Sequence, residues 1–300
     1  MPTLKEIKGR IASVRGTLKI TSAMKLVSSA KLRKAQKATE AMRPYEAKLQ
    51  EMLAAVGLTA SDGRVAPSVA NNKADAPSGA TPSAAAFPPA AIIAIASNSS
   101  LCGGFNANAV AKVRSVRQSD DVVYSIGRKM ADAMRRDGFP SPEDFSALSE
   151  NPAYAPAAAL VEKLQQDLAE GRISRVLLVY NHFVSTARQV PVVEELLARD
   201  PSSQAPQDDR SGDESPADAI FEPSRKDLLA VLEPKLLKLK LYAALLDSAA
   251  AEHAARTVAM QTATDNGEKL LQELTLQYNK GRQQKITSEI LDLAGGQAAQ

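Results

Sequence analysis

The chain has 300 residues, a formal net charge of +3 and a single cysteine. One cysteine excludes an intrachain disulfide and a multi-cysteine metal site, and it favours a reducing compartment. The apolar fraction of 44% is ordinary for a folded protein, but aromatic residues contribute only 4% and tryptophan is absent. This composition favours thin helices over one large core.

The small net charge hides an uneven distribution along the chain. Residues 1–43 hold eleven Lys or Arg and only two acids, Glu6 and Glu40, which gives that segment a charge of +9 and the remainder −6. A strongly basic segment predicts a negatively charged partner, which could be a nucleic acid, a membrane surface or an acidic protein.

No stretch of the sequence approaches the ~20 apolar residues that a membrane-spanning helix needs. The first residues lack the apolar core of a secretion signal. They are rich in Lys and Arg, as mitochondrial transit peptides are, but helical periodicity begins at Leu4 and continues without a break. We therefore expect this segment to be part of the folded protein rather than a transit peptide. The lack of a transit peptide favours a bacterial protein.

One long helix is predicted for the N-terminal segment, residues 1–58. Its apolar positions are spaced 3, 4, 3, 4, which is the seam of a coiled coil, at Leu4, Ile7, Ile11, Val14 and Leu18. Pro44 is a candidate bend or interruption. Unbroken, this helix would be roughly 80 Å long at 1.5 Å per residue, which is longer than a globular domain can contain.

A second long heptad-patterned helix is predicted at the other end, over residues 224–296, followed by a short tail, 297–300. Its seam positions are Leu239, Tyr242, Leu246 and Ala249, and later Gly267, Leu271, Leu274 and Tyr278. Pro234 is its candidate interruption. Two such helices would hide their apolar edges by pairing as an antiparallel coiled coil.

The middle of the chain, residues 91–199, alternates strand and helix patterns. Strands are predicted at 90–97, 121–127, 173–184 and 188–196, the last two as a hairpin or as neighbours, and helices at 104–116, 128–138 and 156–171. This order predicts a small, doubly wound, mostly parallel α/β sheet domain of Rossmann-like type, inserted between the two long helices. Two polar stretches, 59–90 and 200–223, are predicted to be a flexible insertion and a polar loop.

Three stretches resemble the gamma subunit of F-type ATP synthases. Residues 7–36 match the first helix of that family, and residues 248–296 match its last helix, where the C-terminal signature is satisfied by Ile286, Thr287, Glu289, Asp292 and Gly296. Gln297 stands where the family has Ala. The turn SLCGGFNAN at 100–108 matches the family's GLCGGLN-type turn, although Asn98-Ser99-Ser100 replaces the usual Asp-Arg-Gly.

The resemblance implies a rotary central-stalk subunit without a catalytic site of its own. In that family the paired helices turn inside a ring of three alpha and three beta subunits, and the foot contacts the epsilon subunit and a membrane ring of c subunits. Proton-driven rotation would change the three beta sites in turn, and ATP hydrolysis would drive the reverse. The implied location is peripheral, on the cytoplasmic side of the cell inner membrane, with no cofactor and no nucleic acid bound.

Residues that contact the surrounding ring are also implied by the resemblance. They are Met24, Lys25, Arg256, Arg282, Gln283, Thr287 and Glu289. From their chemistry alone, the polar ones would be ordinary surface residues and Met24 would be a seam residue.

The Ala-rich stretch 253–266 allows two interpretations. The preferred one places small residues on the outer faces of the helix pair, where they would permit sliding contact with a ring. The alternative is a close helix–helix packing face.

Two other classes of function are weighed against the rotor. The basic segment allows a nucleic-acid-binding coiled coil, although no aromatic residues are interleaved for base stacking. The Cys102-Gly103-Gly104 turn allows a nucleotide-binding enzyme, although it lacks the P-loop and dinucleotide-binding patterns. The two histidines, His182 and His253, lie in different predicted elements, so neither a metal site nor a nucleophile–base arrangement is predicted.

Overall fold

The computed structural model describes residues 3–56, 88–198, 222 and 224–297. Ten elements follow one another: α1 (Leu4–Val56), β1 (Ala91–Ile95), α2 (Phe105–Val116), β2 (Val122–Ile126), α3 (Arg128–Arg136), α4 (Ser146–Glu150), α5 (Tyr154–Ala169), β3 (Arg175–Phe183), β4 (Gln189–Ala198) and α6 (Arg225–Gln297). The predicted insertions at 59–90 and 200–223 lie outside the described residues, apart from 88–90 and Glu222.

The chain divides into two compact units. One consists of Met1–Ala30 and Arg256–Gln300, and the other is Lys31–Ala255. The first unit contains the beginning of α1 and the end of α6. The second contains the sheet, its helices and the remaining parts of α1 and α6.

Both long helices begin with side-chain caps. Thr3 N donates to Glu6 Oε2 at 3.0 Å, and Glu6 N donates to Thr3 Oγ1 at 3.3 Å, which is a reciprocal capping box. At the start of α6, Asp227 N donates to Ser224 Oγ at 3.2 Å. The candidate interruptions at Pro44 and Pro234 are corrected by the structure, because both prolines lie inside continuous helices.

The sheet has four strands in the order β2-β1-β3-β4. β1 pairs in parallel with β2 and β3, and β3 forms an antiparallel hairpin with β4. All five residues of β1 are buried, as expected for a central parallel strand made largely of Ile. The structure confirms the predicted α/β class, with its mostly parallel sheet and long flanking helices. Of the two arrangements considered for the last strands, the structure has the hairpin.

Helices cover both faces of the sheet, so the domain is doubly wound. On one face, Ile93, Tyr124 and Leu178 pack with Leu160 of α5 and Leu241 of α6. The opposite face packs against α2 and α3 through a second cluster, whose members include Ile92, Val123, Val179, Val113 and Met130. α6 therefore supplies part of the core of the α/β domain as well as one of the long helices.

Within the second unit, α1 and α6 pack closely through small residues. Ala250 and Ala254 are buried against Leu32 and Ala35. On another side of α6, Ala251 and Ala255 pack against Cys102 and Phe105. The interpretation that small residues lie on outer faces is therefore wrong for Ala254 and Ala255 of the 253–266 stretch. There the alanines form a close packing face, because their single methyl groups permit a short distance between neighbouring backbones.

The helix α4 is absent from the sequence prediction. Five residues with no apolar periodicity carry too little pattern to be recognised as a helix. Its Leu148 is buried in the core beside α5, and Ser149 Oγ donates to Ala96 O at 2.7 Å. Tertiary contacts, rather than local preference, account for this element.

Candidate functional site

The candidate site is the helix pair of the first unit, Leu4–Ala30 of α1 and Arg256–Gln297 of α6. Leu18 occupies the space beside Gly267, where an added Cβ would lie 2.7 Å from Leu18 Cδ2. Leu4 stands beside Gly281 in the same way, with a corresponding distance of 3.2 Å. The leucines are fourteen residues apart in α1 and the glycines fourteen apart in α6, which is two heptads of an antiparallel pair.

A polar layer follows these apolar contacts. Thr264 Oγ1 lies 3.0 Å from Thr21 Oγ1 across the pair. Each hydroxyl is also within hydrogen-bond distance of a carbonyl of its own helix, Met260 O for Thr264 and Leu18 O for Thr21. Both threonines are partly buried, so this layer joins the helices through hydroxyl groups where the layers nearer Leu4 use Leu and Gly.

Next to the threonines lies a chain of hydrogen bonds that includes one predicted contact residue. Lys25 Nζ donates to Gln261 Oε1 at 2.5 Å, and Gln261 Nε2 donates to Asp265 Oδ1 at 2.6 Å. Lys25 is consequently half-buried and directed toward α6, and Met24 beside it is also half-buried. Gln261 and Asp265 were not predicted from the sequence, because a single Gln or Asp in a helix carries no pattern that reveals its partner.

Arg256 differs from the surface residue that its chemistry suggested. It is only 8% exposed, it has an interaction partner, and Met260 one turn further along α6 is 5% exposed. A buried guanidinium is stable only when it is paired or hydrogen-bonded. In this chain Arg256 is thus a buried, partnered residue of α6.

The remaining predicted residues lie near the end of α6 and are exposed: Arg282, Gln283, Thr287 and Glu289. Leu4, at the start of α1, stands beside Gly281, so within the described part of the chain this segment continues beyond the first turn of α1. Glu289 forms an ion pair with Lys285 one turn earlier, at 3.6 Å, and both side chains are more than 60% exposed. Exposed pairs of this kind hold side chains only weakly.

Two exposed isoleucines accompany these polar residues. Ile286 is 47% and Ile290 59% exposed. At about 100° per residue, they lie between Arg282 and Glu289 on one side and Gln283 and Thr287 on the other. The segment therefore presents an apolar centre with a polar border, which is the usual anatomy of a protein–protein interface. From the sequence, Ile286 was recognised only as part of a motif, and Ile290 was not predicted as a site residue.

The structure separates the predicted residues into two groups. Lys25 lies beside Gln261, whereas Arg282 is twenty-one residues further along α6, or about 30 Å in a helix. The predicted residues therefore do not converge on one site. They mark two zones of one helix pair, the first half-buried and the second exposed.

The glycine turn that raised the possibility of nucleotide binding is filled by its own side chains. Ser97 N and Ser97 Oγ both donate to Asn106 Oδ1 at 3.0 Å, and Asn106 Nδ2 donates to Cys102 Sγ at 3.1 Å. The backbone angle φ is positive at both Leu101 (66°) and Gly103 (57°). The N–H and O–H groups of Ser97 are already bonded within the turn, so they are not available to a phosphate. The same hydrogen bonds hold the connection from β1 to α2.

His182, at the end of β3, has an acidic neighbour that its sequence position did not reveal. Its Nδ1 lies 2.6 Å from Asp247 Oδ2, and Phe183 N donates to the same carboxylate at 3.3 Å. Burial raises the pKa of Asp247 above the ordinary carboxyl value, and contact with His182 partly opposes this shift.

Among the described residues, no group of three or more His, Cys, Asp or Glu is arranged to hold a metal ion. Within the same ranges, no helix is both long enough and apolar enough to span a membrane.

Comparison with known proteins identifies the family to which this chain belongs. The family described as ATP synthase matches residues 3–299. The chain is 44% identical to the ATP synthase gamma chain of Phocaeicola vulgatus over 100% of both chains. It is 37% identical to that of Flavobacterium johnsoniae, over 100% of this chain and 99% of the relative. The chain therefore belongs to the ATP synthase gamma chain family, as its sequence motifs predicted.

Solved structures support the fold. A chain in the mitochondrial ATP synthase of Euglena gracilis, solved with OSCP, F1 and the c-ring, has a TM-score of 0.69 at 20% identity and covers 99% of this chain and 94% of its own. A chain of the central stalk and c-ring of the Tetrahymena thermophila enzyme has a TM-score of 0.54 at 23% identity, covering 81% and 99% respectively.

Proposed function

We propose that this chain is the central rotor subunit of an F-type ATP synthase and couples rotation to the catalytic cycle of three beta subunits. The observation that carries the proposal is the full-length likeness to ATP synthase gamma chains at 44% identity. Because nothing of the relative's length is missing, the helix pair and the α/β domain that a rotor needs both lie in this chain.

The proposed partners follow from this role. Three alpha and three beta subunits surround the helix pair of the first unit, and the epsilon subunit and the ring of c subunits bind at the foot, which the α/β domain largely forms. The complex attaches peripherally to the cytoplasmic side of a bacterial inner membrane. The chain itself binds no nucleotide, and catalysis occurs in the beta subunits.

The mechanism depends on differential contact. A shaft that favours a different conformation in each of three beta subunits changes the affinity of each site for ADP, phosphate and ATP as it turns. The coupling free energy is reciprocal, so nucleotide binding and hydrolysis in turn apply torque to the shaft. This chain contributes surfaces of different chemistry at different angles rather than a reacting group.

The exposure of the predicted residues supports a division of roles among them. Arg282, Gln283, Thr287 and Glu289 are exposed at the end of α6 and are available to a partner without rearrangement. They form the direct contacts of the proposal, together with the isoleucines between them. Lys25 and Arg256 act through the helix pair, because one is bonded to Gln261 and the other is buried. Met24, half-buried beside Lys25, shapes the same zone.

Reconstitution tests the proposal. The chain is mixed with alpha and beta subunits from the same source, the complex is isolated, and its ATPase rate is measured. We expect an active complex with one copy of this chain per three alpha–beta pairs. Glu289→Gln should change the turnover severalfold, whereas Glu273→Gln, an equally conservative change at another exposed position of α6, should change it little.

Two outcomes contradict the proposal in different ways. A folded chain that does not assemble with alpha and beta subunits would overturn the rotor function. An active complex in which Glu289→Gln and Gln283→Ala both match Glu273→Gln would retain the rotor but remove the assigned contacts.

A further inference from the structure

The apolar seam of the first unit does not by itself fix how far one helix lies along the other. Its positions recur every three or four residues in α1, from Leu4 to Leu18, and in α6, from Gly267 to Tyr278. Sliding one helix by a whole number of heptads again places seam against seam. A shaft built from such a seam alone would have several axial positions of similar energy.

The glycines exclude some of these positions but not all. A slip of one heptad places Leu18 opposite Leu274 or, in the other direction, opposite Met260, where two large side chains compete for the space that a leucine and a glycine share in the observed register. A slip of two heptads is different, because the two glycines are themselves two heptads apart. It places Leu18 opposite Gly281 or, in the other direction, Leu4 opposite Gly267, so one leucine again meets a glycine.

We propose that Thr21, Lys25, Gln261 and Thr264 form a register lock, a polar layer that fixes the axial position of α1 on α6 within the first unit, in addition to the packing of Leu32 and Ala35 against Ala250 and Ala254 in the second unit. The hydroxyls of Thr21 and Thr264 meet at 3.0 Å, and the ammonium of Lys25 reaches Gln261 at 2.5 Å. These two contacts occur one turn apart and both cross the pair. They form together only in the observed register.

The two-heptad slips that the glycines tolerate both break this layer. In the first, Thr21 faces Tyr278 and Lys25 lies beside Leu274. In the second, Thr264 faces Ile7. Each of these residues then loses its partner across the pair, and each threonine keeps only the carbonyl of its own helix. A buried polar residue in a coiled coil is known to select one register at some cost in stability. The glycines thus disfavour slips of one heptad, and the polar layer disfavours slips of two heptads.

Asp265 has a supporting part in the lock. Its carboxylate accepts a hydrogen bond from Gln261 Nε2, which orients the amide so that Oε1 faces Lys25. Without this acceptor, the amide of Gln261 is free to rotate and present its NH₂ group to the ammonium, which also carries only donors. Asp265 is a positioning residue, and we expect Asp265→Ala to weaken the lock less than loss of Lys25.

Pulsed electron spin resonance on the full chain tests the lock. Spin labels are attached to Ala12→Cys and Ala263→Cys, two exposed positions, in a Cys102→Ser background. The labelled residues are offset by about 15 Å along the pair in the observed register, by about 36 Å after one two-heptad slip and by about 6 Å after the other. One distance population is expected for the parent chain.

The test variant is Thr21→Val, Lys25→Leu, Gln261→Leu and Thr264→Val combined, which makes the layer apolar. We expect a second, displaced distance population with helical content retained by circular dichroism. Thr17→Val, which removes an exposed threonine hydroxyl bonded to Ser13 O within its own helix, should leave one population. An unchanged single distance in the combined variant, or two populations in the parent chain, would overturn the proposal.

A second variant decides the matter if the combined one fails to fold. Thr21→Val with Thr264→Val keeps Lys25 and Gln261 and replaces only the two hydroxyls with methyl groups of similar size. The displaced population should then be smaller but still present, at least at raised temperature. If this double variant keeps one distance at every temperature up to unfolding, the threonine pair has no part in fixing the register and the proposal fails.

Discussion

Asp247 Oδ2 lies 2.6 Å from Nδ1 of His182, and the same carboxylate accepts the backbone N–H of Phe183. Three groups from two elements therefore meet where the last residues of β3 approach α6. Phe183 itself packs against both alanine-containing clusters of the second unit. The position of this carboxylate has a consequence for how stability depends on pH.

We expect Asp247 to make the fold less stable as pH rises. Burial raises its pKa in the folded chain above the ordinary value of 3.8, so the folded state holds this proton more tightly than the unfolded state does. The associated stability is complete below pH 3.8 and is lost as pH rises through the folded pKa. In urea denaturation from pH 3.5 to 7, Asp247→Asn should therefore show a flatter fall than the parent chain. A parallel pH dependence in the two proteins would contradict this assignment.

Asp137 should show the opposite dependence. Its hydrogen bonds from Arg114, at 2.7 and 2.8 Å, lower its pKa below 3.8. The stability associated with it is present above pH 3.8 and is lost as pH falls through the folded pKa. Asp137→Asn should therefore be less stable than the parent at pH 7 and approach it near pH 3. Asp132→Asn, whose carboxylate contacts Arg135 only at 3.6 Å on the surface, is the control. A deficit for Asp137→Asn that did not shrink on acidification would refute the prediction.

Tyr180→Phe should destabilise the α/β domain. The Tyr180 hydroxyl donates to Glu194 Oε1 at 2.8 Å across the β3–β4 hairpin, and burial raises the pKa of Tyr180 so that the hydroxyl stays protonated. Its removal leaves Glu194 with the weaker contact to Lys240, 3.5 Å away. A lost hydrogen bond to a charged group costs about 1.5–3 kcal/mol of unfolding free energy. Tyr154→Phe, at a partly exposed tyrosine on α5, is the matched control, and equal losses in the two variants would contradict the role of Glu194.

Two glycine replacements should differ although both remove a glycine from a helix. An added Cβ on Gly9 has nothing within 4 Å, so Gly9→Ala should gain up to about 1 kcal/mol from helix propensity. Gly267→Ala places its methyl group 2.7 Å from Leu18 Cδ2, and the shift that this requires should cancel most of that gain. Urea midpoints followed by circular dichroism at 222 nm would measure the difference. A gain for Gly267→Ala as large as that for Gly9→Ala would mean that Leu18 moves aside without cost.

The elements that sequence predicts well here are those with strong periodicity. The seam from Leu4 to Leu18 and the buried run of β1 carry enough repeated signal to place two long helices and a parallel sheet. Pro44 and Pro234 show the limit of local rules. Each removes one backbone hydrogen bond, but packing on either side holds the helix together, through Met42 and Leu49 around Pro44 and through Leu232 and Leu239 around Pro234.

The candidate site was predictable only in part, and through the family resemblance rather than through periodicity. Exposed residues such as Gln283 and Glu289 were predicted as contacts from positions that match the family. The burial of Arg256 and the bond from Lys25 to Gln261 were not, because 236 positions separate that pair in the chain. Only a known axial register relates such residues, and a heptad pattern repeated along both helices is compatible with several.

The alanine face of α6 restricts how this stretch can change over evolutionary time. Ala251 and Ala254 have no exposed surface, and each meets a different neighbour, Ala254 near Leu32 and Ala251 near Phe105. A larger side chain at either position would force one of those neighbours outward, whereas Gly or Ser would preserve the spacing. Random substitution libraries should therefore recover almost solely Gly, Ala and Ser at these two positions, while tolerating most residues at the exposed position 272 of the same helix.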